Sequence, residues 1–277
     1  MQLVDTHCHI QTIAQLSGEE HTRELWNKLK NSSLDNVIEV SKQAGVDRLI
    51  VVGCTSEDSR MAQELAQKHS KGGLWASIGI HPHEASNQLV VDSSLKLLND
   101  LVIKPKVVAV GECGLDYYYQ YSPKKEQIKI LEKQIELALT NDLPLIFHVR
   151  QAFNDFWPIV DSLNSARQPI KGVVHSFTDN LTNMNKVLER NLFIGVNGIA
   201  TFAKNPVQIE VFRMIPLSNL VLETDSPYLT PSPIRGTINI PKNVGLIAAY
   251  LAEIKGIKVD TLAKVTTDNA VKLFNLN

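Results

Sequence analysis

The chain has 277 residues, 44% of them hydrophobic, enough for one large α/β domain or two ordinary ones. With 28 Lys and Arg against 29 Asp and Glu the formal charge is −1, so no global field draws it to nucleic acid or to an anionic membrane, and a polyanionic substrate has to be held locally. Asp5, Thr6, His7 and His9 stand where a signal peptide needs basic then apolar residues, no apolar run approaches a membrane span, and three cysteines without a close pair suit a reducing cytoplasm.

The first predicted strand runs from Leu3 to His7. Side chains two apart on a strand share a face, so His7 and His9 project together while Thr6, Cys8 and Ile10 face the other way. Two neutral imidazoles on one face can share a divalent cation. A helix over Leu34 to Ala44 leads to a second strand, Arg48 to Gly53, and a helix over Glu57 to His69 to a third, Leu74 to Ile80, with His81 and His83 just beyond it. A helix over Ser93 to Leu101 is followed by a strand from Val107 to Glu112. Ser122 and Pro123 read as an N-cap with proline in the first turn of a helix over Lys124 to Thr140. The remaining strands are Pro144 to His148, Gly172 to His175, Leu192 to Val196 and Leu220 to Asp225, separated by helices over Ala152 to Leu163, Leu181 to Glu189 and Val207 to Met214. Two more helices, Lys242 to Lys255 and Val259 to Leu273, close the chain.

Continuous Val/Ile/Leu runs such as Leu49 to Val52 suit strands covered on both sides. No linker or low-complexity stretch divides the chain, and eight strand–helix units in a chain of this length predict one α/β domain over residues 1–277, a single (β/α)8 TIM barrel. Active sites of that fold lie at the carboxyl ends of the strands. His7, His9, His81, His83, Glu112, His148, His175 and Asp225 all fall at or just past such ends, and only His21 and His69 among the histidines lie elsewhere.

His7, His9, Glu112, His148, His175 and Asp225 supply nitrogen and carboxylate donors without a thiolate, which suits zinc, manganese or magnesium in a hydrolytic site. Six donors exceed the needs of one catalytic ion, and two divalent ions bridged by Glu112 would use them. Cys8 and Cys113 adjoin these donors but alternate away from them, so both are expected to pack in the core.

Asp5-Thr6-His7-Cys8-His9, Gly79-Ile80-His81-Pro82-His83, Gly111-Glu112-Cys113-Gly114-Leu115-Asp116-Tyr117, Leu143-Pro144 leading to His148-Val149-Arg150, His175-Ser176-Phe177, Glu223-Thr224-Asp225-Ser226-Pro227-Tyr228-Leu229 and Thr267-Asp268-Asn269-Ala270 form an ordered series from Asp5 to Phe274. The series resembles the TatD family of metal-dependent deoxyribonucleases, within the amidohydrolase-type barrels. That resemblance implies a TIM barrel with one or two divalent ions, the same six residues as ligands, and hydrolysis of DNA phosphodiester bonds by exonucleolytic cleavage. Two segments depart from the family pattern: Ser176-Phe177-Thr178-Asp179 replaces Cys-Phe-Ser-Gly, and Gly236-Thr237-Ile238-Asn239-Ile240-Pro241 keeps Asn239 and Pro241 but lacks two basic positions.

On this reading Asp225 is the general base and Glu112 the carboxylate between the ions. Arg150, two residues past His148, can take a phosphate bidentately or pair with a rim carboxylate. His81 and His83 can touch phosphate, shuttle a proton or simply hold their loop, and Asn239 is a weaker substrate candidate. Tyr117, Tyr118, Tyr119 and Tyr121 can stack on unpaired bases or cover the barrel mouth, with cover expected for at least two of them. The expected partner is DNA, single-stranded or bound at an end, with no membrane and no obligate protein partner. A small phosphoester, a lactone or a cyclic amide remains the alternative substrate, because fold alone does not choose.

Overall fold

The computed structural model describes residues 2–13, 20–29, 33–86, 88–165 and 167–277. Its eight strands are β1 (Leu3–Cys8), β2 (Val46–Val52), β3 (Leu74–Ile78), β4 (Val107–Asp116), β5 (Leu145–Arg150), β6 (Gly172–Val174), β7 (Phe193–Val196) and β8 (Leu220–Leu222), paired in parallel and in chain order. Crossovers between parallel strands need helices. Here α1 (Glu20–Asn27) and α2 (Leu34–Gln43) follow β1, and α3 (Ser56–Lys68), α4 (Gln88–Leu101), α5 (Lys124–Thr140), α6 (Phe153–Leu163), α7 (Leu181–Glu189) and α8 (Pro206–Met214) follow β2 to β7. α9 (Val244–Lys255) and α10 (Val259–Phe274) come after β8. The sheet closes where Asp225 N donates to the carbonyl of His7 and His9 N donates to that of Ser226, both at 2.8 Å. This is the (β/α)8 barrel that the strand count predicts.

Most element ends agree with the sequence reading, and the differences have local causes. Thr55 accepts from Asp58 N and so starts α3 at Ser56, while Asn205 caps α8 through Val207 N with Pro206 in its first turn. Ser122 is not a cap: its hydroxyl donates to the carbonyl of His83 at 2.7 Å, and Pro123 takes the N-cap position of α5. α1 has no counterpart in the sequence reading, since Leu25 and Trp26 are its sole apolar residues; buried Trp26 anchors it. β8 ends at Leu222 rather than Asp225, because Asp225 turns back toward β1 with φ 57°.

Two apolar layers make the core. Outside the barrel, helix-facing side chains include Leu3, Cys8, Val110, Cys113, Leu115 and Phe147. Inside lie Val4, Ile50, Val52, Ala109, Ile146, Val173 and Val221, with Trp75, Phe274 and Leu276 in the same cluster. Strict alternation cannot place Val4 inside and Cys8 outside, nor Ala109 inside and Cys113 outside. The parity changes because Asp5 to Cys8 spans the register of Leu49 to Val51, and Val110 to Cys113 that of Leu145 to Phe147, one extra residue each time. The first bulge lies at the carboxyl end of β1 and the second midway along β4, and they re-aim His7, His9 and Glu112.

Candidate metal centre

The barrel seam itself builds the site. Because the β1 and β8 backbones close through His7, His9, Asp225 and Ser226, the two imidazoles and the carboxylate arrive side by side. His9 Nε2 lies 3.2 Å from His7 Nε2 and 3.2 Å from Asp225 Oδ1. His7 Nε2 lies 3.3 Å from Glu112 Oε2 and 3.7 Å from Asp225 Oδ1. The other oxygen of Glu112 faces a different group: Oε1 is 2.7 Å from His148 Nδ1, 3.3 Å from His175 Nε2 and 3.6 Å from His81 Nε2. The six residues expected to be ligands therefore converge, with Glu112 in their midst.

The donor set fits divalent cations. His9 Nδ1 donates to the carbonyl of Val52 at 2.9 Å, so in the neutral ring Nε2 is a bare lone pair facing a carboxylate oxygen. Two acceptors at that distance need a proton or a cation between them. His148 repeats the problem, since Nδ1 meets Glu112 and Nε2 meets Asp116 Oδ2 at 3.0 Å while a neutral imidazole has one proton. Burial alone would push the Glu112 carboxyl up, yet the imidazoles of His175, His81 and His7 outweigh it and hold it well below the carboxylate range. Burial lowers His9, but Asp225 overrides it and raises the ring to about 9. Burial likewise opposes the rise of His175, which Glu223 and Glu112 carry well above the ordinary value.

Residues that the sequence reading gave no role support this centre from behind. Glu223 Oε1 lies 3.1 Å from His175 Nδ1 and accepts from Ser176 N at 2.6 Å; Gly195 leaves it room, since a Cβ there would fall 2.4 Å from Glu223 Oε2. Asp5 Oδ1 accepts from His7 N at 3.2 Å and Thr224 N at 2.8 Å, and burial pushes this carboxyl up to about 8. Asp116 Oδ2 receives both His148 and His83, the latter at 3.1 Å. Gly114 lets β4 approach β5, because a Cβ on it would lie 1.8 Å from the carbonyl of His148. Cys54 Sγ sits 3.6 Å from Glu112 Oε2 and is a neighbour that spacing could not reveal. Spacing did carry a signal for Asp5 and Glu223, each two residues before a candidate ligand. Ser176 and Asp225 have φ of 51° and 57°, backbone that costs a non-glycine residue about 1–3 kcal/mol and that collects at functional sites.

A cavity of about 710 Å³ opens over the cluster, lined among others by His81, His83, Tyr119, Tyr121 and Arg150. Arg150 makes no ion pair among the described residues; its guanidinium lies 4.1 Å from the ring centre of Tyr118 and 4.7 Å from that of Tyr119. His81 Nδ1 accepts from His83 N at 3.2 Å, so in the neutral ring Nε2 carries the proton. The expected cover does not form: Tyr118, Tyr119 and Tyr121 are exposed, and only Tyr117 is part-buried, donating to Asp155 Oδ2 at 2.8 Å. Asn239 is not at the cavity. It is fully buried, its amide donating to the carbonyls of Thr224 and Tyr228 at 2.9 and 2.6 Å, and it braces the loop that carries Asp225. Cys8 and Cys113 are buried, as alternation beyond the bulges requires.

Residues 4–275 match the family described as TatD related DNase. The chain belongs to the TatD family. It is 33% identical to the metal-dependent hydrolase YabD of Bacillus subtilis, across 99% of this chain and all of that protein. It is also 33% identical to a 3′-5′ ssDNA/RNA exonuclease TatD of a Rahnella strain, across 87% of this chain and 92% of that one. The crystal structure of the TatD homologue YJJV of Escherichia coli superposes with a TM-score of 0.83 at 28% identity, covering 99% of this chain and 98% of the other. As a TatD-family member the chain is a metal-dependent hydrolase, which agrees with the donor set. No helix among the described residues is long and apolar enough to cross a membrane.

Proposed function

We propose that this chain, acting as a single domain over residues 1–277, is a deoxyribonuclease that removes nucleotides from strand ends and takes DNA unpaired. The observation that carries the reading is the cluster of four imidazoles and two carboxylates, buried except for half-buried His148 and Asp225, at the floor of a 710 Å³ cavity whose wall holds an arginine without an ion pair among the described residues and exposed aromatic rings. The relative in Rahnella, an exonuclease by name, supports the same substrate class. Three cysteines free of disulfides support a cytoplasmic setting.

His7, His9 and Asp225 would hold one divalent cation, and His148, His175 and Glu112 would serve a second, Glu112 lying between the two groups; magnesium, manganese and zinc all suit these donors. When bound, such ions supply Lewis acidity toward a phosphoryl oxygen and make hydroxide available near neutral pH. The chain's own part is acid–base and positioning chemistry. Burial works against ionisation of Asp225, but His9, His175 and His7 keep its pKa below the ordinary value, so it enters the reaction as a carboxylate and takes the proton of the attacking water. His81, with its proton on Nε2 at the cavity wall, donates toward the leaving oxygen, and His83 holds the loop through Asp116. Arg150 neutralises a neighbouring phosphate.

The test is a side-by-side assay of a 3′-labelled single-stranded oligonucleotide, a cyclic amide and a lactone with added magnesium, manganese or zinc. Stepwise shortening of the oligonucleotide, lost by about 10²- to 10⁴-fold in Asp225→Asn with the fold retained, is the expected result. Turnover of the amide or lactone with the oligonucleotide intact overturns the proposal.

A further inference from the structure

Three tyrosines stand in the open beside the cavity, 51%, 45% and 65% exposed for Tyr118, Tyr119 and Tyr121. Large aromatic side chains are ordinarily buried, and a contiguous exposed group of them marks a contact surface. These rings are not loose. Tyr118 N and Tyr119 N donate to Asp116 Oδ1 at 2.9 and 3.0 Å, and Asp116 is itself fully buried and joined to His148 and His83. Tyr119 and Tyr121 lie nearly parallel, 7° between planes and 5.5 Å between centres, and the edge of His83 meets Tyr121 at 4.7 Å. Arg150 completes the group, held against Tyr118 and Tyr119.

We infer that Tyr119 and Tyr121, with Arg150 fixed beside them, form a stacking platform for the unpaired bases next to the scissile phosphate. The inference rests on the nuclease reading above and names the residues by which that site tells bases from bare backbone. Aromatic faces accept any base, because every base has a π-face. The charge fits as well: a phosphate between two stacked bases needs a cation nearby, and Arg150, which makes no ion pair among the described residues, lies against the rings. Paired bases are stacked already and cannot lie on the rings, so the platform selects unpaired strands. Because Asp116 ties the platform to His148, a base seated there sets the distance of its phosphate from the metal donors.

Two oligonucleotides of equal length test this, one with all its bases and one abasic over the last four positions at each end. The readout is the ratio of their kcat/KM values in the wild-type chain, in the double variant Tyr119→Ala/Tyr121→Ala, and in Tyr119→Phe/Tyr121→Phe. Stacking predicts a wild-type preference for the base-containing strand of about 5- to 150-fold per stacked base. The preference collapses toward unity in the alanine variant and survives in the phenylalanine variant, which keeps the rings. General damage to the fold slows both substrates and leaves the ratio standing, so a ratio preserved in the alanine variant overturns the inference. Equal cleavage of both strands by the wild type overturns the platform alone; cleavage of neither, with a simple phosphodiester still hydrolysed, removes the nuclease reading and the platform with it.

Discussion

Metal affinity in this chain has to weaken as pH falls, and His9 sets the size of the effect. In the metal-free protein Asp225 holds the His9 proton up to a pKa of about 9, against the drag of burial. The shift from 6.5 to about 9 is worth about 3 kcal/mol to the metal-free fold, fully present below pH 6.5 and lost as pH rises through 9. A cation entering between His7, His9 and Asp225 must first displace that proton, so each pH unit below 9 costs about tenfold in apparent affinity, about a hundredfold at pH 7. His148 and His175 steepen the dependence: burial lowers both, but Asp116 and Glu112 raise the first and Glu223 and Glu112 the second. Competition of Mn²⁺ or Zn²⁺ against a fluorescent chelator at pH 6, 7 and 8 measures it directly. The affinity should rise by at least about a hundredfold from pH 6 to pH 8, and His9→Gln should remove about one decade per pH unit from the slope. A change below about threefold across that range would refute the reasoning, since no proton would then stand where the cation has to go.

Asn239→Ala removes two donated hydrogen bonds and leaves the carbonyls of Thr224 and Tyr228 buried, at a cost of about 1–3 kcal/mol. The melting temperature should drop by several degrees and kcat should fall with little change in KM; an unchanged melting curve would remove the brace role. Glu223→Gln keeps the shape but weakens the hold on His175, and the apparent metal affinity should fall about 10- to 100-fold with the circular dichroism spectrum intact. If affinity stays the same, Glu223 serves only the backbone of Ser176.

The fold was legible because its physics is local and repeated. Continuous apolar runs such as Val107 to Val110 mark strands covered on both faces, and each is followed by a segment of helical period, so the barrel follows from the number of units. α1 was invisible for the converse reason. Two adjacent apolar residues in eight make no stripe, and one buried indole, Trp26, does the anchoring. Asn239 was misread because a polar residue kept by a loop looks like a substrate contact in sequence, whereas its three neighbours, the carbonyls of Thr224 and Tyr228 and the amide of Asn243, are assembled only by folding.

The convergence of the candidate metal donors was legible through their placement at strand ends, although alternation counted from the first buried residue gives the wrong answer. Counted from Val4 inside the barrel, a regular β1 would send His7 outward among the helices, and counted from Ala109 a regular β4 would do the same to Glu112. Each strand inserts one residue just before its donor, and each inserted residue turns the donor into the barrel while sending Cys8 and Cys113 out. The spacing of His7 and His9 was readable because two residues apart is legible in the sequence itself. Their facing was a property of the register with β2, which no single stretch of sequence contains. The same holds for Asp225: its left-handed backbone is favourable only because His7 and Ser226 close the seam around it, so the residue that completes the donor set is also the one whose conformation depends on the barrel being closed.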